Sequence, residues 1–115
     1  MKAVRIHSFG PEVLVYEDAP EPIAGPAEVL VKVHGAGVNP VDWKSRQGLA
    51  VASQLGEPPI ILGWDIAGEV VALGPKVTAF APGDRVFALS RFPLQAGGYA
   101  EYAAVPVGDW RKRLA

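Results

Sequence analysis

The stretch EVLVKVH, residues 28–34, places Val29, Val31 and Val33 on one face of an extended chain and Leu30, Lys32 and His34 on the other. A period of two is that of a half-buried strand, and three β-branched residues on one side suit a pleated surface packed against a core. Read outward from there, the chain is mainly β. Residues 2–8 and 13–17 predict a hairpin with Gly10-Pro11 in its turn, and residues 20–26 form a turn-rich connection to the strand at 28–34. On the other side, residues 66–73 predict a strand closed by Gly74-Pro75. Residues 85–89 and 99–105 predict two more, the first entered through the turn Gly83-Asp84-Arg85. The 13 glycines and 11 prolines are scattered, which fits tight turns between short strands and no flexible linker. Strands at such intervals predict a small barrel or sandwich.

One segment breaks the β pattern. Asn39-Pro40-Val41-Asp42 combines an N-cap residue, a proline at the first helical position and an acid three residues after the cap, so a short helix is predicted over residues 40–47 with Gly48 as its stop. A reciprocal cap needs these residue types at this spacing in any protein, so spacing alone gives Asn39 and Asp42 a structural role. Asp42 and Arg46, four apart, predict a surface ion pair worth about 0.3–0.5 kcal/mol. Trp43 shares a face with Asn39 and Arg46 and reads either as core, the ordinary place for an indole, or as the lining of a cleft. Lys44, roughly 100° further round, is either solvated or reaches a cofactor phosphate or a developing oxyanion. Gly63-Trp64-Asp65 precedes a strand, where Asp65 can cap a turn, pair with a base or line a site.

Composition excludes several classes of function. At 115 residues the chain has room for one core, and with half its residues hydrophobic and a fifth charged it is too apolar to be disordered. Eleven basic against 12 acidic residues give a net charge of −1, with no general field to attract nucleic acid or an anionic membrane. No cysteine is present, which removes disulfides, thiolate nucleophiles and cysteine-ligated metals. His7 and His34 fall in different strands with no partner at metal-ligand spacing and read as ordinary strand residues. Gly97-Gly98 is too short for a phosphate loop, no G-x-G-x-x-G opens a helix, and no Ser-His-Asp set can be assembled from spacing. The start, MKAVRIHSFG, has no signal-peptide character and no apolar run is long enough to span a membrane, so the expected location is cytoplasmic.

The order of local sequences goes further than composition does. It runs from Val31-Lys32-Val33 through Gly35-Ala36-Gly37-Val38-Asn39-Pro40-Val41-Asp42-Trp43-Lys44 and Arg46-x-Gly48. It continues with Pro59-Ile60-Ile61-Leu62-Gly63-Trp64-Asp65-Ile66-Ala67-Gly68-Glu69-Val70, then Gly74-x-x-Val77-x-x-Phe80-x-x-Gly83-Asp84-Arg85-Val86, and ends on Gly97-Gly98-Tyr99-Ala100-Glu101-Tyr102. Together these resemble the amino-terminal GroES-like domain of the medium-chain dehydrogenase/reductase family, in its zinc-independent quinone oxidoreductase branch. The resemblance covers nearly the whole chain and implies a mainly β, partly open GroES-like barrel with one or two short helices.

Departures from the zinc alcohol dehydrogenases of that family are informative. Asn39 stands where those enzymes place a zinc-binding cysteine, and Gly63-Trp64-Asp65 stands where they have glycine-histidine-glutamate. The interval between Val86 and Gly97, where their structural-zinc lobe would fall, is short and cysteine-free. No metal is therefore expected. The resemblance implies that Asn39, Asp42 and Lys44 face a nicotinamide and the reacting carbonyl. Asn39 and Lys44 would touch the cofactor, and Trp43, Trp64 and Asp65 would line the substrate pocket. It also implies NADP(H) as cofactor, a small quinone or enone as substrate, and transfer of hydride to a conjugated carbonyl. Relatives of this kind continue into a Rossmann domain and then return chain to the first. Residues 1–115 are thus expected to be the substrate-side domain alone, inactive as an enzyme, with the basic end at 109–115 marking a truncation. Apolar surface is expected to lie uncovered near residues 102–110 and to favour self-association. The alternative is a free-standing GroES-like binding or assembly module without catalysis, since fold does not fix function.

Overall fold

A computed structural model of the chain describes residues 1–112; Arg113, Leu114 and Ala115, part of the basic end, lie outside the described residues. The elements are β1 (Lys2–Ile6), β2 (Leu14–Asp18), β3 (Glu28–Gly37), α1 (Pro40–Arg46), β4 (Ile60–Ile61), β5 (Asp65–Leu73), β6 (Arg85–Leu89), β7 (Tyr102–Pro106) and β8 (Trp110–Lys112). Short 3₁₀ turns occupy Ala52–Gln54 and Val107–Asp109. The strands form two antiparallel sheets, one ordered β2-β1-β4 and the other β7-β3-β5-β6-β8, which do not close into a full barrel. Among the described residues no helix is long and apolar enough to cross a membrane.

The alternation at residues 28–34 carries the larger sheet. Val29 and Val31 are fully buried in a core with Ile66, Val70, Val86, Ala103 and Val105, and Val33 packs against it. β3 nevertheless runs three residues past His34. A register shift between Val33 and Gly35 breaks the period of two, and beyond it Gly35, Ala36 and Gly37 pair with Ala67, Ile66 and Asp65. A second core, of Ile6, Leu55, Ile60, Leu62 and Trp64, lies under the smaller sheet and receives Val41 of α1 and Tyr99.

The segment at residues 99–101 was expected to be strand, and β7 begins only at Tyr102 because that segment passes from one sheet to the other. Val4 N–H donates to the Tyr99 carbonyl at 2.8 Å, Ala3 forms an isolated bridge with Ala100, and Val33 N–H donates to the Glu101 carbonyl at 2.8 Å. Bonds that alternate between β1 and β3 join the sheets without forming a ladder in either. The basic end holds a strand that its composition gave no sign of: β8 pairs with β6 through Val86↔Lys112 and Ala88↔Trp110.

Candidate functional site

Helix α1 is held at both ends by its own sequence. Asn39 and Asp42 form a reciprocal cap, one arm of which is Asn39 N–H donating to Asp42 Oδ2 at 2.7 Å, and Pro40 occupies the first helical position. At the other end Gly48 adopts φ +89°. Its N–H bonds the Ser45 carbonyl at 3.0 Å, while Leu49 N–H bonds the Lys44 carbonyl at 2.9 Å, the two bonds of a Schellman stop. Gly10 N–H, in the turn after β1, donates to the Arg46 carbonyl at 2.8 Å and ties that turn to the helix end.

Between α1 and the smaller sheet lies a cavity of about 130 Å³. Leu14, Val38, Leu62 and the Trp43 indole supply its apolar walls, and Asp42, Arg46 and Tyr99 its polar edge. Asp42 is 2 % exposed, so it is not a surface residue and the surface ion pair expected with Arg46 is not formed. One carboxylate oxygen serves the cap; the other, Oδ1, is buried without a hydrogen-bond partner, as is Arg46 Nε. An unpaired buried carboxylate oxygen is costly, and such atoms in native folds ordinarily find a bound partner. A larger, more open depression of about 330 Å³, bordered by Ile23, Arg91 and Gln95, contains none of Asn39, Asp42, Trp43, Lys44, Trp64 and Asp65.

Tyr99 is the residue that sequence reasoning missed. Its backbone is fixed by Tyr99 N–H to the Leu62 carbonyl at 3.0 Å and by the Val4 bond. Its ring lies against Gly63, where an added Cβ would stand 2.7 Å from Tyr99 Cδ1. The hydroxyl donates to the Gly37 carbonyl at 3.4 Å. Burial pushes the Tyr99 phenol well above its ordinary value near 10, and the negative charge of the neighbouring Asp42 pushes it further, so the hydroxyl keeps its proton. The one available signal was Gly97-Gly98 ahead of it, since Gly98 sits against the Gly63 carbonyl where any side chain would collide.

The other predicted site residues divide. Trp43 is 44 % exposed and lines the cavity, and it is not part of either core. Asn39 and Lys44 flank the cavity within α1's sequence but are not part of its wall; Lys44 is exposed, with Nζ 5.5 Å from the Trp43 ring centroid. Trp64, expected to offer a flat face to substrate, is instead a core residue at 2 % exposure. Its Nε1–H donates to the Leu94 carbonyl at 2.6 Å and its ring meets Phe92 edge-on at 5.5 Å. Asp65 opens β5 on an exposed position beside Gly37, outside the cavity. Among the described residues no group of three or more His, Cys, Asp or Glu is placed to hold a metal ion.

Comparison with known proteins agrees with this architecture. The sequence profile of the alcohol dehydrogenase GroES-like domain matches residues 25–112. The quinone oxidoreductase of Lama guanicoe is 46% identical over 105 residues, covering 90% of this chain and 30% of its own length. A quinone oxidoreductase structure from Coxiella burnetii superposes with a TM-score of 0.94 at 38% identity, over 99% of this chain and 37% of that one. A mycobacterial protein complexed with NADPH superposes with a TM-score of 0.82 at 33% identity, over 99% of this chain and 34% of that one. The chain thus spans about a third of the length of these relatives, and it belongs to the family of alcohol dehydrogenase GroES-like domains, in which it matches those of quinone oxidoreductases.

Proposed function

We propose that this chain is the substrate-side domain of a cytoplasmic, zinc-independent quinone or enone reductase, and that the α1 cavity receives the conjugated carbonyl. The observation that carries this reading is the cavity itself. A capped helix brings Trp43 and a buried, half-unpartnered Asp42 against an apolar wall, in the segment that matches quinone oxidoreductases. Bound NADP(H), as in the mycobacterial relative, would supply the hydride.

The donor set suits that chemistry. Negative charge builds on the carbonyl oxygen as hydride adds, and preorganised donors at that oxygen lower the barrier. A cap engages the oxygen of the Asn39 amide and leaves its N–H₂ group to donate. Lys44, held near Trp43, is a mobile cation suited to a cofactor hydroxyl or to the developing oxyanion. Asp42 keeps α1 in register through its cap, Trp43 presents a flat apolar face to a planar substrate, and Trp64 supports Leu62 from behind.

The sequence carries no G-x-G-x-x-G phosphate-binding motif, so residues 1–115 alone are expected to leave NADPH unoxidised in the presence of quinones. A chimera in which residues 1–112 replace the matching domain of the Coxiella burnetii quinone oxidoreductase should reduce quinones or enones. Asn39→Leu in that chimera should lower kcat by about 10²-fold. A folded, NADPH-binding chimera that reduces no such compound would remove the proposal.

A further inference from the structure

Resting on the reading of the Asn39 amide as a donor to the carbonyl, we propose that Tyr99 is a positioning residue: its hydroxyl holds both ends of the segment from Gly37 to Asp42 and, through the Asp42 carboxylate, fixes the direction in which Asn39 donates.

The segment that carries Asn39 has little else to hold it. β3 ends at Gly37 after the register slip beside Gly35, and neither glycine has a side chain to pack. Val38 is 75 % exposed, and Pro40 is exposed as well. Helix α1 has seven residues, too few to be stable through its own hydrogen bonds. The reciprocal cap orients Asn39 relative to α1, but so short a helix can tilt with its cap as a unit. A donor that must meet a developing charge needs a reference outside the helix.

Tyr99 supplies that reference. Its backbone is bonded to Leu62 and Val4 in the segment that joins the two sheets, and its ring is seated on Gly63. From there the hydroxyl reaches the Gly37 carbonyl at 3.4 Å and is hydrogen-bonded to the Asp42 carboxylate. The carbonyl lies at the long limit of hydrogen-bond distance, so the ionised acceptor takes the larger share of the single phenolic proton. Burial and the Asp42 charge push the phenol up, and the proton is therefore in place at neutral pH.

Both links of the relay end on Asp42. This side chain is 2 % exposed, and its carboxylate receives Tyr99 O–H from the sheet crossing and Asn39 N–H from the cap, the latter at 2.7 Å. The Asn39 amide oxygen accepts the Asp42 N–H in the same cap, which leaves its N–H₂ group as the free end of the chain of bonds. The two donors also offset part of the Asp42 charge, which otherwise opposes negative charge building on a carbonyl oxygen nearby.

Kinetics of the chimera carrying residues 1–112 test the relay. Tyr99→Phe keeps the ring and removes the hydroxyl, so kcat should fall about tenfold while KM for the quinone changes by less than about twofold. Because Tyr99 acts through Asn39, its effect should disappear in an Asn39→Leu background, the double variant being no slower than Asn39→Leu alone. In the 115-residue chain, hydrogen exchange followed by NMR should be about tenfold faster at Asn39 N–H in Tyr99→Phe and unchanged at Val29 and Val31 N–H. Losses that add in the double variant would give Tyr99 a role of its own and overturn the proposal while the reading of Asn39 stands. An unchanged kcat in Tyr99→Phe, or exchange that rises equally at Val29 and Val31, would overturn it too. If Asn39→Leu itself leaves kcat unchanged, the reading of Asn39 as donor fails and the relay with it. Asp42→Asn, a weaker acceptor of the same shape, serves if Tyr99→Phe does not fold: kcat should drop by a similar factor, and an unchanged kcat would overturn the relay.

Discussion

Gly63 and Tyr99 are a matched pair. Gly63 adopts φ +99°, and a Cβ there would meet Tyr99 Cδ1 at 2.7 Å and Tyr99 N at 3.0 Å. Gly63→Ala therefore adds left-handed strain to an overlap with a ring whose backbone cannot retreat, and should destabilise the fold by about 2–4 kcal/mol in urea unfolding. Tyr99 also sets a pH dependence. Its folded pKa is raised, so above the ordinary value near 10 the native state holds a proton that the unfolded chain has released. The stability this group contributes is complete below about pH 10 and is lost as pH rises toward the folded pKa. The urea midpoint of the wild-type chain should fall between pH 9 and pH 11 more steeply than that of Tyr99→Phe; parallel slopes would show that Tyr99 is not the group responsible. The cap pair Asn39 and Asp42 was legible because a helix start announces itself in residue types and spacing, whereas the same spacing left Trp43 open between core and cleft. Tyr99 was not, because its place depends on where a non-adjacent strand carries the chain, which no local pattern encodes.

Strand β3 shows where such patterns stop. Its first half was readable from Val29, Val31 and Val33, but the strand continues to Gly37 only because the register slips by a residue beside Gly35. Gly68, across from Val33, is what lets β3 and β5 approach: a Cβ there would stand 2.1 Å from the Lys32 carbonyl oxygen. Backbone cannot yield as a side-chain tip can, so Gly68→Ala should cost about 3 kcal/mol or more in denaturant unfolding, or prevent folding. Strands β4 and β8 went unread for different reasons. Ile60-Ile61 is too short for a period, and Trp110–Lys112 is basic enough to pass for an unstructured end until β6 pairs with it. The ends of α1 were fully readable, because Asn39, Pro40 and Gly48 each suit a backbone geometry that few other residues adopt as easily.

At the scale of the whole molecule, the face expected to lie uncovered near residues 102–110 is covered along its first half. Ala103 and Val105 are buried and Tyr102 half-buried, while the side chain of Trp110 lies outside the described residues. Among the exposed large apolar side chains, Phe87, Leu89, Phe92 and Leu94 lie together on β6 and the loop after it. Phe87→Lys with Leu89→Lys should therefore reduce hydrophobic-dye binding and any self-association seen by light scattering, with little change in unfolding midpoint. A dye signal untouched by these changes would locate the sticky surface elsewhere.

The hydrogen bond from Tyr99 to the Gly37 carbonyl joins positions 62 residues apart. The walls of the cavity are supplied by the opening hairpin, the helix and the inter-sheet crossing, so no short peptide excised around Asn39 and Asp42 contains it. A ring compound that fits this cavity has nothing to bind in the unfolded chain. Its presence should raise the unfolding midpoint in proportion to the logarithm of its concentration once above its Kd, making the ligand a gauge of how much of the population is folded.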